Sequence, residues 1–147
     1  THREWKNKTG KANFVVYEVE DHTPPKGQLI LMTIRSHDQY NTTIYGMDDR
    51  YRGVFNTRKV IFLNQADITQ LGFQDGEFVD ILSCYKNEEQ RKVVGFRIVS
   101  YEIPIGCAAS YFPEANELVS TNITAKKSNT PLSKFIPIQL ISTIKEA

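Results

Sequence analysis

The sequence is poor in sulphur and has almost no net charge. It contains two cysteines and two methionines among 147 residues, and its 18 basic side chains nearly cancel 17 acidic ones. Cys84 and Cys107 are too few and too far apart to form a disulfide framework or a metal-ligand cluster, so we expect a reduced, cytoplasmic setting. Because no field of one sign surrounds the chain, we expect neither nucleic acid nor an anionic membrane as a partner.

Long apolar runs and glycine-rich fingerprints are also absent from the sequence. The longest apolar runs, such as 29–32 and 60–63, have the length of a strand and are far short of a membrane span. Neither the dinucleotide nor the P-loop glycine pattern occurs, so Rossmann and Walker-type folds lack support. The polar N-terminus has no initiator Met and no apolar signal segment. We therefore expect a fragment of a longer protein.

The chain divides into a polar arm and one domain. Residues 1–27 are polar and end in Thr23-Pro24-Pro25-Lys26-Gly27, where two prolines and a glycine block both a helix and a central strand. An edge strand is predicted within the arm, at Asn13–Val19. Residues 28–147 are then expected to form a single domain, which is large enough to bury a core of its own.

Apolar runs predict about six strands in residues 28–147. They are Gln28–Ile34, Lys59–Leu63, Phe78–Leu82, Val93–Tyr101, Cys107–Ser110 and Ile136–Ile144. The first two are typical of strands buried on both faces. A short helix is expected after the second strand, because Asn64 and Asp67 resemble a capping box and Leu71-Gly72 an apolar helix end. Six strands with one or two short helices favour a mainly β fold, a closed or nearly closed β-barrel.

Polar side chains follow several of these predicted strands. The first strand breaks into a run that includes Arg35, whose rigid fork suits phosphate oxygens, and hydroxyl and amide side chains that suit sugars and base edges. A solvated loop explains this run equally well. Free N–H groups at the helix start favour an anion near Asn64, but simple capping is the commoner explanation. Turn-forming and surface roles likewise explain Asn116 and Lys134.

A histidine and an aspartate stand next to each other in the first polar run. His37 and Asp38 could suggest a self-contained hydrolase or decarboxylase with a carboxylate-oriented base. Adjacent residues at a strand end point in opposite directions, however, and no Ser or Cys nucleophile motif accompanies them. We therefore expect a contact or structural role for His37, no catalytic residue in this chain, and core positions for Cys84 and Cys107.

Seven short motifs, taken in order, resemble the C-terminal domain of the molybdopterin oxidoreductases of the bis-molybdopterin guanine dinucleotide type. They are Thr9-Gly10-Lys11-Ala12-Asn13-Phe14, Thr33-x-Arg35, Asn64-x-x-Asp67, Leu71-Gly72, Asp75-Gly76-Glu77-x-Val79, Asn116-Glu117-Leu118 and Thr130-Pro131-x-x-Lys134. Together they extend over nearly the whole chain. The longer strings at 33–46 and 127–131 are most similar to a subgroup of formate dehydrogenase alpha-subunit-like, or acid-resistance-associated, oxidoreductases.

The resemblance implies a double-psi β-barrel that binds molybdopterin guanine dinucleotide. Arg35, Ser36 and Gln39 would contact the dinucleotide or pterin, Asn64 and Asp67 would meet the guanine end, and three later residues would contact the pterin. The candidate cofactor-binding residues are expected to converge at one rim of the barrel. The full set is Thr33, Arg35, Ser36, His37, Gln39, Asn41, Asn64, Asp67, Asn116, Ser133 and Lys134.

The same resemblance implies that the chemistry lies elsewhere in a larger enzyme. Molybdenum or tungsten would be held by two pterins, and the protein ligand to the metal and any iron–sulfur cluster cysteines would lie upstream of residue 1. The expected partners are the remaining domains of the parent enzyme and an electron-transfer subunit. The isolated domain should have no redox activity and no metal site of its own. The alternative is a cofactor-free β-barrel module that binds a protein or peptide partner.

Overall fold

The computed structural model describes residues 2, 4–18, 23–40 and 45–143, and these contain six strands and one α-helix. The elements are β1 (Leu29–Ile34), β2 (Val60–Leu63), α1 (Gln65–Gln70), β3 (Phe78–Ser83), β4 (Lys92–Ser100), β5 (Cys107–Tyr111) and β6 (Ile136–Ser142). A short 3-10 turn, Asn116–Leu118, follows β5. The six strands predicted in residues 28–147 and the predicted short helix are confirmed.

The six strands close into one barrel in the order β1-β5-β2-β4-β3-β6. Two pairs are parallel, β1 with β5 and β2 with β4, and the other four pairs are antiparallel. The mainly β, closed barrel expected from the strand count is confirmed. The double-psi connectivity implied by the resemblance stays a prediction.

The outer faces of β1 and β2 differ in burial, because different residues cover them. β2 is buried on both faces because Val60 and Phe62 pack outside the barrel against Val54 and Tyr111, while its other two residues point into the main core. β1 instead alternates, and its Met32 side chain is 43% exposed. The prediction of burial on both faces is therefore confirmed for β2 and wrong for β1, whose outer face meets solvent.

The described part of the arm carries no strand. Residues 13–18 are unpaired in the sheet, and the side chains of Phe14, Val16 and Tyr17 are almost fully exposed. The predicted edge strand is wrong for these residues, and Val19 lies outside the described residues. A physical reason is that a closed barrel leaves no free edge for a further strand to join. The boundary at residue 28 between arm and domain stays a prediction.

Both cysteines are free thiols of intermediate burial, so the expectation that they belong to the core is wrong. Burial raises the pKa of the Cys84 thiol above its usual value. Among the described residues, no helix combines the length and the apolar character that a membrane crossing requires.

Phe62 tests the cluster that covers the outside of β2. Its side chain is 1% exposed, and its ring packs edge-on against those of Tyr101 and Tyr111 at centroid distances of 5.3 and 5.4 Å. Replacing it in Phe62→Ala should lower the free energy of unfolding by about 3–5 kcal/mol, measured by chemical denaturation. The matched control is Phe78→Ala, at a strand position that is 56% exposed, with an expected loss within about 0.5 kcal/mol. Equal losses in the two variants would contradict the role of Phe62 in the cluster that covers the outside of β2.

Candidate functional site

Five of the eleven candidate residues line one cavity at an end of the barrel. The cavity has a volume of about 200 Å³, and we call it the cationic pocket; its lining residues are Thr33, Ile34, Arg35, Phe112, Asn116, Ser133 and Lys134. Because β1 and β5 run parallel, with Ile34 opposite Tyr111, the residues that follow each strand emerge at the same end. The residues that precede β6 arrive there too, since β6 is antiparallel to β1.

Three hydrogen bonds attach the Ser133–Lys134 segment to the end of β1. The Ser133 carbonyl accepts hydrogen bonds from the backbone N–H of Thr33 at 2.9 Å and from its hydroxyl at 3.1 Å. The Lys134 Nζ donates in return to the Thr33 carbonyl oxygen. These three contacts hold the lysine ammonium at the mouth of the cavity.

The lining of the cationic pocket carries two positive side chains and no carboxylate. Burial lowers the pKa of Lys134, and the nearby charge of Arg35 lowers it further. Within the described part of the chain, Lys134 forms no ion pair. Two cations held close together, beside amide and hydroxyl donors, favour an anionic ligand.

Ser36 and Gln39 do not line this pocket, because both side chains are buried behind it on the guanidinium of Arg58. Arg58 is 2% exposed. Its guanidinium donates to four oxygens, which are Glu114 Oε1 at 2.7 Å, Ser36 Oγ at 2.7 Å, Gln39 Oε1 at 2.9 Å and the Phe112 carbonyl at 2.9 Å. Their assignment to the cofactor stays a prediction, although both side chains have internal partners.

A second buried network lies beside the first. Asp49 is 2% exposed, and its Oδ2 accepts from Arg52 Nη1 at 2.6 Å, from the Tyr111 hydroxyl at 2.9 Å and from the His37 backbone N–H at 3.3 Å. Arg52 Nη1 also donates to the carbonyl oxygen of Arg35 at 3.3 Å. The backbone at both ends of Arg35–His37 is therefore tied to the same buried carboxylate.

The exposed His37 ring lies on the ring of Tyr51, with a centroid distance of 3.6 Å. The two rings are tilted by 34°, and His37 lies outside the cationic pocket. Asn41 lies outside the described residues. The binding roles of both residues stay predictions.

Asn64 and Asp67 lie at the opposite end of the barrel. Leu63 pairs with Ala108 near the start of β5, so the residues after β2 emerge where β1 and β5 begin. Asn64 borders a depression of about 560 Å³ with Gln65 and residues 100–102, and Asp67 lines a mainly apolar cavity of about 650 Å³. The expectation that all candidate residues share one rim is wrong for these two.

Local contacts explain both residues of the helix start. The Asn64 side chain accepts from the Ala66 backbone N–H at 2.8 Å and donates to the Ile103 carbonyl at 2.7 Å, so the predicted N-cap is confirmed. Asp67 does not complete a capping box, because its Oδ2 accepts from the Gly106 N–H at 2.9 Å. Contact of either residue with a guanine stays a prediction.

Arg58, Asp49, Tyr111 and Phe112 are the residues of this region that the sequence analysis missed. Apart from the Asp49–Arg52 pair, which is three residues apart, their partners are distant in sequence, so local spacing does not reveal the networks. A weak signal exists for Arg58, since a charged residue precedes the apolar β2 strand closely. A lone arginine before a strand is too common to support a prediction.

Comparisons with known proteins place the chain in a family. The family model described as the molydopterin dinucleotide binding domain matches residues 29–139. This chain therefore belongs to the molydopterin dinucleotide binding domain family. An uncharacterized oxidoreductase of Mycobacterium tuberculosis is 48% identical over 145 residues, which cover 96% of this chain and 19% of the relative. Protein YdeP of Escherichia coli K12 is 36% identical over 143 residues, which cover 94% and 19%. The chain thus spans about a fifth of these relatives.

Asp49 should make stability fall in acid. Burial alone raises the pKa of Asp49, but hydrogen bonds from Arg52 and Tyr111 outweigh it and hold the pKa below its usual value. A depressed folded-state pKa adds stability that is fully present above the unfolded value of about 4 and lost as the pH falls through the folded value. Asp49→Asn should therefore be roughly 1.5–3 kcal/mol less stable at pH 7 and less sensitive to acid, measured by denaturation between pH 2 and pH 7. Parallel profiles for the variant and the unmodified chain would contradict this role.

Proposed function

We propose that this chain is the cofactor-binding domain of a molybdenum or tungsten oxidoreductase of the formate dehydrogenase-like kind. The observation that carries the proposal is the cationic pocket at one end of a barrel that belongs to the molydopterin dinucleotide binding domain family. Arg35 and Lys134 supply charge for an anionic group. The cofactor is a pterin nucleotide whose phosphates carry that charge.

The size of the pocket fits a part of such a ligand. Sites for drug-sized molecules measure about 300–1,000 Å³, whereas the cationic pocket measures about 200 Å³. It can take a phosphate group or one edge of a fused ring, and the rest of the dinucleotide must lie outside it. The surrounding contacts would come from other domains of the parent protein. In the relatives, the matched region makes up only 19% of the full length.

The side chains of the pocket suit distinct tasks. Lys134 and Arg35 can donate to phosphate oxygens, and the exposed Asn116 can both donate to and accept from a pterin edge. When bound, the cofactor would supply two-electron redox chemistry at its metal. The task of this chain is to bind and orient, and none of its residues is assigned to catalysis.

The formate dehydrogenase-like assignment rests on the similarity of residues 33–46 and 127–131 to that subgroup. The oxidoreductase name of the Mycobacterium relative supports the wider class. Sequencing the parent reading frame upstream of Thr1 tests the finer assignment. A Cys or selenocysteine ligand together with cysteines spaced for an iron–sulfur cluster would support it.

A single lysine tests the location of the ligand. Lys134→Ala should weaken binding of guanosine diphosphate or of released pterin cofactor by about tenfold or more, because one charge-assisted contact is lost. Binding is followed by amide shifts in an NMR titration, with millimolar ligand, since one domain supplies only part of the contact. The matched control is Lys26→Ala, which removes the same charge from the cavity at the opposite end.

Three results of this titration are distinguishable. Shifts at Thr33–Arg35, Asn116 and Ser133–Lys134 that disappear in the Lys134 variant support the proposal. Loss of binding in the Lys26 variant alone would place the ligand at the other end and contradict it. Absence of any amide shift with either ligand would also contradict the proposal.

The exposed arm favours contacts with further domains. Phe14, Val16 and Tyr17 present apolar side chains that are almost completely accessible in this chain. Exposed apolar side chains in one segment commonly mark a contact surface. We propose that other domains of the parent protein cover this arm. A cofactor-free module would instead show ligand-independent binding of a peptide there, with no effect of Lys134→Ala.

A further inference from the structure

The buried guanidinium of Arg58 connects three separate segments of the chain. Its four hydrogen bonds reach the loop after β1 through Ser36 and Gln39, and the turn after β5 through Phe112 and Glu114. Arg58 itself precedes β2, and its side chain is 2% exposed. A buried charge is tolerated at low cost only when it is paired and hydrogen-bonded, and here four of the five guanidinium donors have partners.

Aromatic rings complete the surroundings of this guanidinium. Its central carbon lies 3.8 Å from the ring centroid of Tyr45 and 4.8 Å from that of Tyr111. Tyr45 follows the loop after β1, and Tyr111 ends β5. The planar fork is required for this arrangement, because an ammonium group has neither the flat face nor the fixed directions of the donors.

Both segments held by Arg58 also line the cationic pocket. The first carries Arg35 directly before Ser36, and the second carries Phe112 and Asn116 on either side of Glu114. Arg58 does not line the pocket. It therefore has no direct contact with a ligand there, and any effect it has on binding acts through the two segments.

We infer that Arg58 is a positioning residue of the cationic pocket, which sets the distance between the Arg35 loop and the Asn116 turn. The identity of the ligand rests on the proposed function, but the positioning role does not. In the absence of Arg58 the loop and the turn would lose their common partner, and Glu114 would keep a partly buried charge without its cation. The pocket would then widen, and the Arg35 loop would shift away from Lys134, which remains attached to Thr33.

Arg58→Lys and Arg58→Met test this role in the 147-residue chain. The control is Asp80→Asn, which disrupts another ion pair, between the buried Asp80 and the half-exposed Lys92, at the far end of β6. Inorganic pyrophosphate is the probe. We expect both Arg58 variants to bind it about tenfold more weakly, and the Asp80 variant to stay within about twofold of the unmodified chain at comparable loss of stability.

A second readout needs no ligand. The pKa of Lys134, followed by NMR of the side chain in lysine-labelled protein, is held down by burial and by Arg35. It should rise toward its usual value in the Arg58 variants, because Arg35 moves away, and remain unchanged in Asp80→Asn. In Arg58→Lys the Lys134 pKa should rise as in Arg58→Met, since a lysine at position 58 cannot reproduce the planar fork.

The outcomes separate the two proposals. If the unmodified chain does not bind pyrophosphate but the Lys134 pKa still rises in the Arg58 variants, positioning holds and the anion site is wrong. If the chain binds and the Arg58 variants match it in affinity and in the Lys134 pKa, positioning is overturned. If both Arg58 variants fail to fold, Ser36→Ala is used instead, which removes one hydrogen bond of 2.7 Å to Arg58. It must then show weaker pyrophosphate binding and a higher Lys134 pKa, each by a smaller amount. An unchanged Lys134 pKa in that variant would overturn the inference.

Discussion

The pairing of β1 with two neighbours at once is the constraint on which the site depends. β1 lies between a parallel partner, β5, and an antiparallel partner, β6. In a closed barrel neither register can slip without breaking the other, because every strand has two fixed neighbours. Three chain segments that are far apart in sequence consequently meet where β1 ends. The same pairing sends the residues after β2 to the opposite end, and thus separates Asn64 from Lys134.

Sequence patterns predicted the elements of this fold well, since strands, turns and caps are governed by near neighbours. Asn64 is recognisable as an N-cap from its own type and its place after an apolar run. The direction of a strand relative to its neighbours has no such local signal. Thr33, Arg35 and Lys134 therefore share one rim of the barrel, as expected, but Asp67 lies at the opposite end. The outer burial of β2 depends on Val54 and Tyr111, which no periodicity within β2 reveals.

Buried polar networks were the least predictable part of the molecule. Arg58 and Asp49 are both 2% exposed, in contrast to the usual place of charged side chains at the surface. Each is tolerable because hydrogen-bond partners compensate its charge. Apart from Arg52, which pairs with Asp49 three residues away, these partners come from distant segments and are known only once the fold is known. Their cost in desolvation argues that they serve specificity of arrangement more than stability. Both networks end on the loop that carries Arg35, which is where a fixed arrangement matters.

Preorganisation links these networks to binding. An isolated loop with an arginine would lose conformational freedom each time it closed on an anion, and that loss would subtract from affinity. Here the Arg35 carbonyl is held by Arg52, and Lys134 is held by the Thr33 carbonyl. The two positive charges are close enough for Arg35 to lower the pKa of Lys134, so their mutual repulsion is already present in the folded chain. An anion that enters between them relieves this repulsion, and the folded chain can thus favour a charged ligand at this end of the barrel.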